Sequence, residues 1–244
     1  MLADFTHACA YPCHGGDCYP LLAMRQPQPE LDHAPRRAQD AYRGLAAGYD
    51  ASARFTAGIR ARAIRRLALQ PGDTVLDAGS GTGLSIPLLE AAVGTRGRVI
   101  CVERSPGMMA LARERVRAGG WSNVALIESE VERAALPGGI DAILFHYVHD
   151  VLQSEAALAR LFGQARPGAR VAVAGVKYHP WWLAPLNVHV WFTMRRYSRN
   201  PVNVARPWRL LERYVPSLER ESTLLGRGYI GWGRFRPPQA EAGR

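Results

Sequence analysis

Short apolar runs alternate with amphipathic stretches over most of this chain. Val75-Leu76-Asp77-Ala78 is the first run, and Arg98 to Glu103, Val124 to Ile127, Ile140 to Tyr147 and Arg170 to Val176 follow it. Each has the length and β-branched content of a buried strand. Between them the period lengthens to that of helices. One helix is expected from about Ala53 to Leu69, ended by Pro71-Gly72, and a second opens at Leu84. A third opens with Ser105 as N-cap and Pro106 at the first helical position. A fourth runs from Val151 to Gln164, ended by Pro167-Gly168, and a last one from roughly Arg206 to Tyr214. Leu218 to Leu225 and Tyr229 to Phe235 read as two final strands, a hairpin around Gly226-Arg227-Gly228. With 244 residues, 48% of them hydrophobic, the chain can form one α/β domain with a sizeable core.

The junction after the first strand carries the most chemistry. Gly79, Gly81 and Gly83 follow Asp77 in a G-x-G-x-G pattern. Glycine permits the sharp turn and a close ligand approach, and the helix that follows offers N–H groups toward that ligand. A dinucleotide fingerprint needs its third glycine one residue later, where this chain has Leu84. The second strand ends in Glu103, 20 residues after Gly83, the spacing at which a βαβ unit presents a carboxylate to a ribose. Strand C-terminal ends line the ligand crevice of open α/β sheets, so His146, Tyr147 and His149 are expected near the reacting group.

The run Val75 to Gly83, with Val99 to Arg113 after it, resembles motif I and the following region of the class I S-adenosylmethionine (SAM) methyltransferases. Within that family it looks most like the small-molecule type of ubiquinone and menaquinone biosynthesis. The resemblance covers about residues 42 to 235. It implies an α/β fold with a Rossmann-like seven-stranded sheet, mostly parallel with an antiparallel last strand, and helices on both faces. It implies SAM as cofactor. Gly79, Ser80, Gly81 and Gly83 would shape the methionine pocket, with Asp77 supporting the turn. Glu103 would hold the ribose, Glu130 and Val131 would lie at the adenine, and Arg104 and Met108 would line the same surface. The family more often has Asp preceded by Gly where this chain has Ser129-Glu130. Tyr49, of the Tyr49-Asp50 pair, would lie over the cofactor.

The implied reaction moves a methyl group to a small-molecule acceptor. An amine acceptor needs alignment, whereas a hydroxyl or activated carbon benefits from a general base. His149 and His146 are the candidates, with Tyr178 and His179 in reserve, because histidine titrates near neutrality. Other readings are a lipid- or quinone-type methyltransferase at a membrane surface, a nucleic-acid methyltransferase and a non-catalytic SAM-binding protein. No nucleic-acid partner is expected: the fourth strand lacks an Asn/Asp-Pro-Pro-aromatic motif, and the only Pro-Cys pair, Pro12-Cys13, lies outside the sheet.

Residues 40–236 form the expected domain, with 178–201 as a lid-like insertion. It is rich in aromatic and aliphatic residues, from Trp181 and Trp182 to Trp191 and Phe192, and precedes Arg195-Arg196. A roof of this kind suits an apolar or aromatic acceptor, or peripheral contact with a lipid surface. Residues 1–39, with five prolines and no hydrophobic period, read as an irregular or disordered arm, and 237–244 as a disordered tail. His7, Cys9, Cys13, His14 and Cys18 crowd the arm, but a second C-x-x-C pair is missing and no metal site is expected. No signal-peptide pattern is read at the start of the sequence, and a cytoplasmic, reducing setting is the expectation. The formal charge is +10, and Lys177 is the only lysine among 31 basic residues. Residues 195–236 hold ten Arg against three Glu, a net of +7, and residues 36–66 hold eight Arg against two Asp, a net of +6. Such basic rims attract anionic substrates or headgroups. Acceptor identity and oligomeric state are not encoded legibly.

Overall fold

The structure is a computed structural model that describes residues 56–179, 181–197 and 202–237, all within one compact unit spanning 37–244. Tyr49, the Cys/His cluster and nearly all of the two expected terminal segments lie outside the described residues.

Seven strands form one sheet: β1 (Thr74–Ala78), β2 (Arg98–Glu103), β3 (Val124–Glu128), β4 (Ile140–His146), β5 (Ala165–Val176), β6 (Glu219–Thr223) and β7 (Gly228–Arg234). Their order is β3-β2-β1-β4-β5-β7-β6. The first five pair in parallel, and β7 runs antiparallel to both β5 and β6. Strand β1 pairs with β2 on one side and β4 on the other, so the winding reverses there. A doubly wound sheet opens its ligand crevice at that reversal, beyond the strand C-termini.

Among the described residues, six α-helices accompany the strands: α1 (Ala57–Arg66), α2 (Ile86–Val93), α3 (Pro106–Gly119), α4 (His149–Leu152), α5 (Glu155–Phe162) and α6 (Asn187–Tyr197). Central strands bury both faces, which is why they read as near-continuous apolar runs. Val75, Val99, Cys101 and Leu144 pack with α1, α2 and α3 through Ile64, Leu89 and Met109. Leu76, Ile100, Ile143 and Phe145 face the other layer, with Leu158 and Phe162 of α5 and Tyr229.

Several boundaries differ from the sequence reading. Helix α2 opens at Ile86 rather than Leu84, because Leu84 and Ser85 form a tight turn closed by the Ile86 amide on the Gly83 carbonyl at 3.0 Å. The helix expected over Val151–Gln164 is two, broken at Gln153-Ser154, where the Ser154 hydroxyl accepts the Ala157 amide at 3.1 Å and caps a new helix. Strand β5 begins at Ala165, with a register shift that absorbs Pro167-Gly168. The helix expected over Arg206–Tyr214 is one 3-10 turn, Leu211–Arg213. That segment is bounded by Pro207 and Pro216, and it is held by Trp208, Leu211 and Val215 in the core instead of by helical repeats. In the insertion, a kinked 3-10 segment (Trp181–Leu186) precedes α6.

Candidate functional site

The glycine turn after β1 is built by backbone conformations that only glycine adopts readily. Gly79, Gly81 and Gly83 all have positive φ, +72°, +57° and +78°. An ideal Cβ on Gly79 would also lie 2.5 Å from Val148 Cγ1. The sequence reading expected free amides at the N-terminus of the following helix; instead the Ile86 amide donates to the Gly83 carbonyl at 3.0 Å and the Leu88 amide to the Ser85 carbonyl at 3.1 Å, and four amides of the turn itself are engaged too. The Gly79 and Ser80 amides both donate to the Val102 carbonyl, at 2.8 and 3.0 Å, and the Gly83 amide donates to Ser80 at 3.0 Å. The Gly81 amide donates to Glu103 Oε2 at 3.0 Å.

Glu103 is thus fixed at the mouth of the turn. Its other oxygen, Oε1, accepts the Ser105 amide at 2.8 Å. Each carboxylate oxygen has a second lone pair to offer. The Ser129 amide donates to the Glu103 carbonyl at 3.1 Å, which brings Glu130 and Val131 to the same edge of the crevice. Val131 is buried, whereas Glu130 is exposed and pairs with Arg133 at 3.7 Å. Arg104 pairs with Asp150 at 3.6 Å. The Met108 amide reaches the Ser105 hydroxyl at 3.5 Å, confirming Ser105 as the cap of α3.

Asp77 is buried beneath the turn. Burial pushes its carboxyl up to about 7, against the lowering effects of the Arg60 guanidinium and the Ser85 hydroxyl. This explains why Ser85, although it precedes α2, makes no capping bond there. Asp77 Oδ2 is buried without a hydrogen-bond partner, and the buried Ser80 hydroxyl faces the Cys101 thiol.

At the end of β4, burial pushes His146 down to about 3, with the Arg60 charge adding to the effect. The near-neutral titration expected of it does not hold: the ring stays neutral at physiological pH. Its Nε2 is buried without a partner, and its ring meets that of Tyr147 at 4.8 Å. Tyr147 has φ +59°, an outlier for an aromatic residue, and its buried hydroxyl has no partner. Burial raises the Tyr147 hydroxyl above its ordinary value. His149 is the first residue of α4, and its Nε2 lies 2.8 Å from the Val202 carbonyl. A carbonyl only accepts, so Nε2 carries the proton and Nδ1 the lone pair of the neutral ring.

In the insertion, Tyr178 packs with Val176 beside Val190 and Val204, and its amide donates to Val204 at 3.3 Å. His179 is tied to Asn187 through its backbone, at 2.7 and 3.3 Å, and its Nδ1 is buried without a partner. Arg60 and the strain at Tyr147 were missed by sequence reasoning. Arg60 had a signal, since it shares the buried stripe of α1 with Ala63 and Ile64. A positive φ at Tyr147 leaves no mark in the sequence.

A pyrophosphate draws on open amides and positive charge, whereas at this turn the Gly79, Ser80, Gly81 and Gly83 amides are engaged and the Glu103 carboxylate accepts one of them.

Residues 35–135 match the family model for protein-L-isoaspartate(D-aspartate) O-methyltransferase. The chain is similar to the arsenite methyltransferase of Halobacterium salinarum, 34% identical over 45% of this chain and 28% of that one. It is also similar to the ubiquinone/menaquinone biosynthesis C-methyltransferase of Vibrio campbellii, 27% identical over 58% of each chain. The chain therefore spans under two thirds of the length of these relatives. A SAM-dependent O-methyltransferase from Thermotoga maritima superposes with a TM-score of 0.57, at 15% identity, covering 76% of this chain and 67% of its own. A SAM-dependent methyltransferase from Aquifex aeolicus gives 0.50 at 20% identity, covering 72% and 89%. The chain has the class I SAM-dependent methyltransferase fold and resembles the ubiquinone/menaquinone-biosynthesis branch in sequence. S-adenosylmethionine is the cofactor that this likeness implies. Among the described residues, no helix is long and apolar enough to cross a membrane.

Proposed function

We propose that the chain is an enzyme that transfers a methyl group from SAM to a small-molecule acceptor of apolar, aromatic or anionic character. The observation that carries this reading is Glu103, held by the Gly81 amide at the sheet's switch point. Its remaining lone pairs suit the two ribose hydroxyls. Gly79, Ser80, Gly81 and Gly83 shape the methionine pocket over Asp77, with Arg104 and Met108 alongside. Glu130 and Val131 hold the adenine side, and Tyr49 covers the cofactor.

When bound, SAM supplies an electrophilic methyl on a sulfonium. The protein's part is mostly alignment of donor and acceptor. For a hydroxyl or carbon acid, His149 takes the acceptor's proton at Nδ1 while the Val202 carbonyl fixes the ring's tautomer through Nε2. His146 serves as a neutral hydrogen-bonding wall, and Tyr178 and His179 border the acceptor from the insertion. A reducing, cytoplasmic setting suits the buried, unpaired thiol of Cys101.

The test is incubation of the protein with SAM and panels of phenols, quinols, thiols, arsenite and anionic metabolites. Appearance of S-adenosylhomocysteine with a methylated product supports the reading. Cofactor binding without product across all panels favours the non-catalytic alternative.

A further inference from the structure

Two apolar elements leave the crevice end of the sheet side by side. Val176, the last residue of β5, pairs with Gly228, the first of β7. One residue on, the Lys177 amide donates to the Arg227 carbonyl at 2.6 Å. The β6–β7 turn therefore stands at the root of the insertion.

Both elements turn large apolar groups to solvent. Leu225 at the turn is 90% exposed, and Leu224 beside it is exposed as well. Their φ values of +54° and +51° lie in the left-handed region, where Gly or Asn would fit without strain. In the insertion, Trp182 and Phe192 are 64% and 62% exposed, and Val188 and Trp191 are exposed too. Val188, Trp191 and Phe192 recur at i, i+3 and i+4 along α6, and Arg195-Arg196 follow them in the sequence. Val190, on the opposite side, is buried with Val204.

An outward apolar stripe with tryptophan, followed in sequence by two arginines, is the pattern of a helix lying in a membrane interface. Lys177 and Arg227 add cations at the same end, within a C-terminal third that carries a net +7 over residues 195–236. A second copy would bring the same positive charge against this face, whereas an anionic bilayer complements it. We infer that this end of the molecule docks on an anionic lipid bilayer, with Leu225 and the α6 stripe seated among the headgroups. Since β5 runs parallel to β1 and β4, docking turns the crevice toward the lipid. If the proposed methyl transfer holds, this narrows the acceptor to a lipid-soluble molecule delivered from the bilayer.

The test is co-sedimentation of the full chain with phosphatidylcholine vesicles, with and without phosphatidylglycerol, for the wild type and a Trp182→Ser/Phe192→Ser/Leu225→Asn variant. Asn is chosen because it tolerates the left-handed conformation. The wild type should partition onto anionic vesicles more than neutral ones, and less as salt rises. The variant should lose at least about tenfold in partitioning. SAM titration of both proteins reads the cofactor site separately, so a failure there is distinguishable from a failure to bind lipid. Equal sedimentation of wild type and variant, or a wild type that ignores anionic vesicles, overturns the inference. So does self-association of the wild type that the variant abolishes, without lipid binding, because that assigns the face to a second copy.

Discussion

Glu103 accepts the Gly81 amide at 3.0 Å, so the acid that ends β2 also braces the glycine turn that follows β1. One side chain thus joins the two pieces of the crevice. Glu103→Ala should weaken SAM binding by about 1.5–3 kcal/mol, the range for hydrogen bonds to a charged group. Calorimetric titration measures this directly, and an unchanged dissociation constant would remove Glu103 from the site.

Gly79→Ala should destabilise the fold by about 2–4 kcal/mol, since it combines a left-handed backbone with overpacking. The new Cβ would sit 2.5 Å from Val148 Cγ1 at φ +72°. Gly120→Ala is the control, with φ +65° but nothing within 4 Å of the added carbon. It should cost only the backbone part, about 1–2 kcal/mol. Urea unfolding of both variants separates strain from contact, and equal losses would show that the Val148 clash is relieved without cost.

Asp77 and His146 oppose each other in their effect on stability against pH. The folded Asp77 carboxyl is raised from 3.8 to about 7, so the folded state holds its proton more tightly than the unfolded. Alone, that makes stability fall as pH rises through this window. Folded His146 is lowered from 6.5 to about 3, so alone it makes stability fall as pH drops below 6.5. Between about pH 4 and 6.5, the folded state holds one proton on Asp77 and the unfolded state one on His146, and the two slopes cancel. Asp77→Asn should therefore lose stability on acidification across that window, and His146→Gln should gain it. The limiting slope of each is about 1.4 kcal/mol per pH unit. Denaturant midpoints measured at several pH values check the signs, and parallel profiles for the two variants would contradict the assignment.

His149→Ala should lower turnover of a hydroxyl or carbon acceptor by about 10²- to 10⁴-fold, the usual contribution of a positioned base. SAM affinity should stay unchanged. Unaltered turnover in His149→Ala would mean that alignment alone carries the chemistry.

Much of this arrangement was legible in the sequence because it rests on local signals. The strands buried on both faces announce themselves as apolar runs, and Ser105-Pro106 opens α3 where capping chemistry places it. The glycine turn and Glu103 were legible because turn geometry constrains residue type. The engagement of the turn's amides was not, since it depends on Val102 and Glu103 arriving from another strand. Nor was the withdrawal of His146 from neutral titration, which comes from burial and from Arg60 of α1. The segment around Trp208 misled the helix reading because its apolar spacing serves the core without a continuous helical ladder.

The central claim is that the turn and Glu103 hold S-adenosylmethionine. Calorimetric titration with SAM, S-adenosylhomocysteine and NADH tests it most directly. Micromolar binding of the first two with none of the dinucleotide is the predicted result, on the order of 8 kcal/mol of binding free energy. Binding of NADH, or of none of the three, would contradict the account.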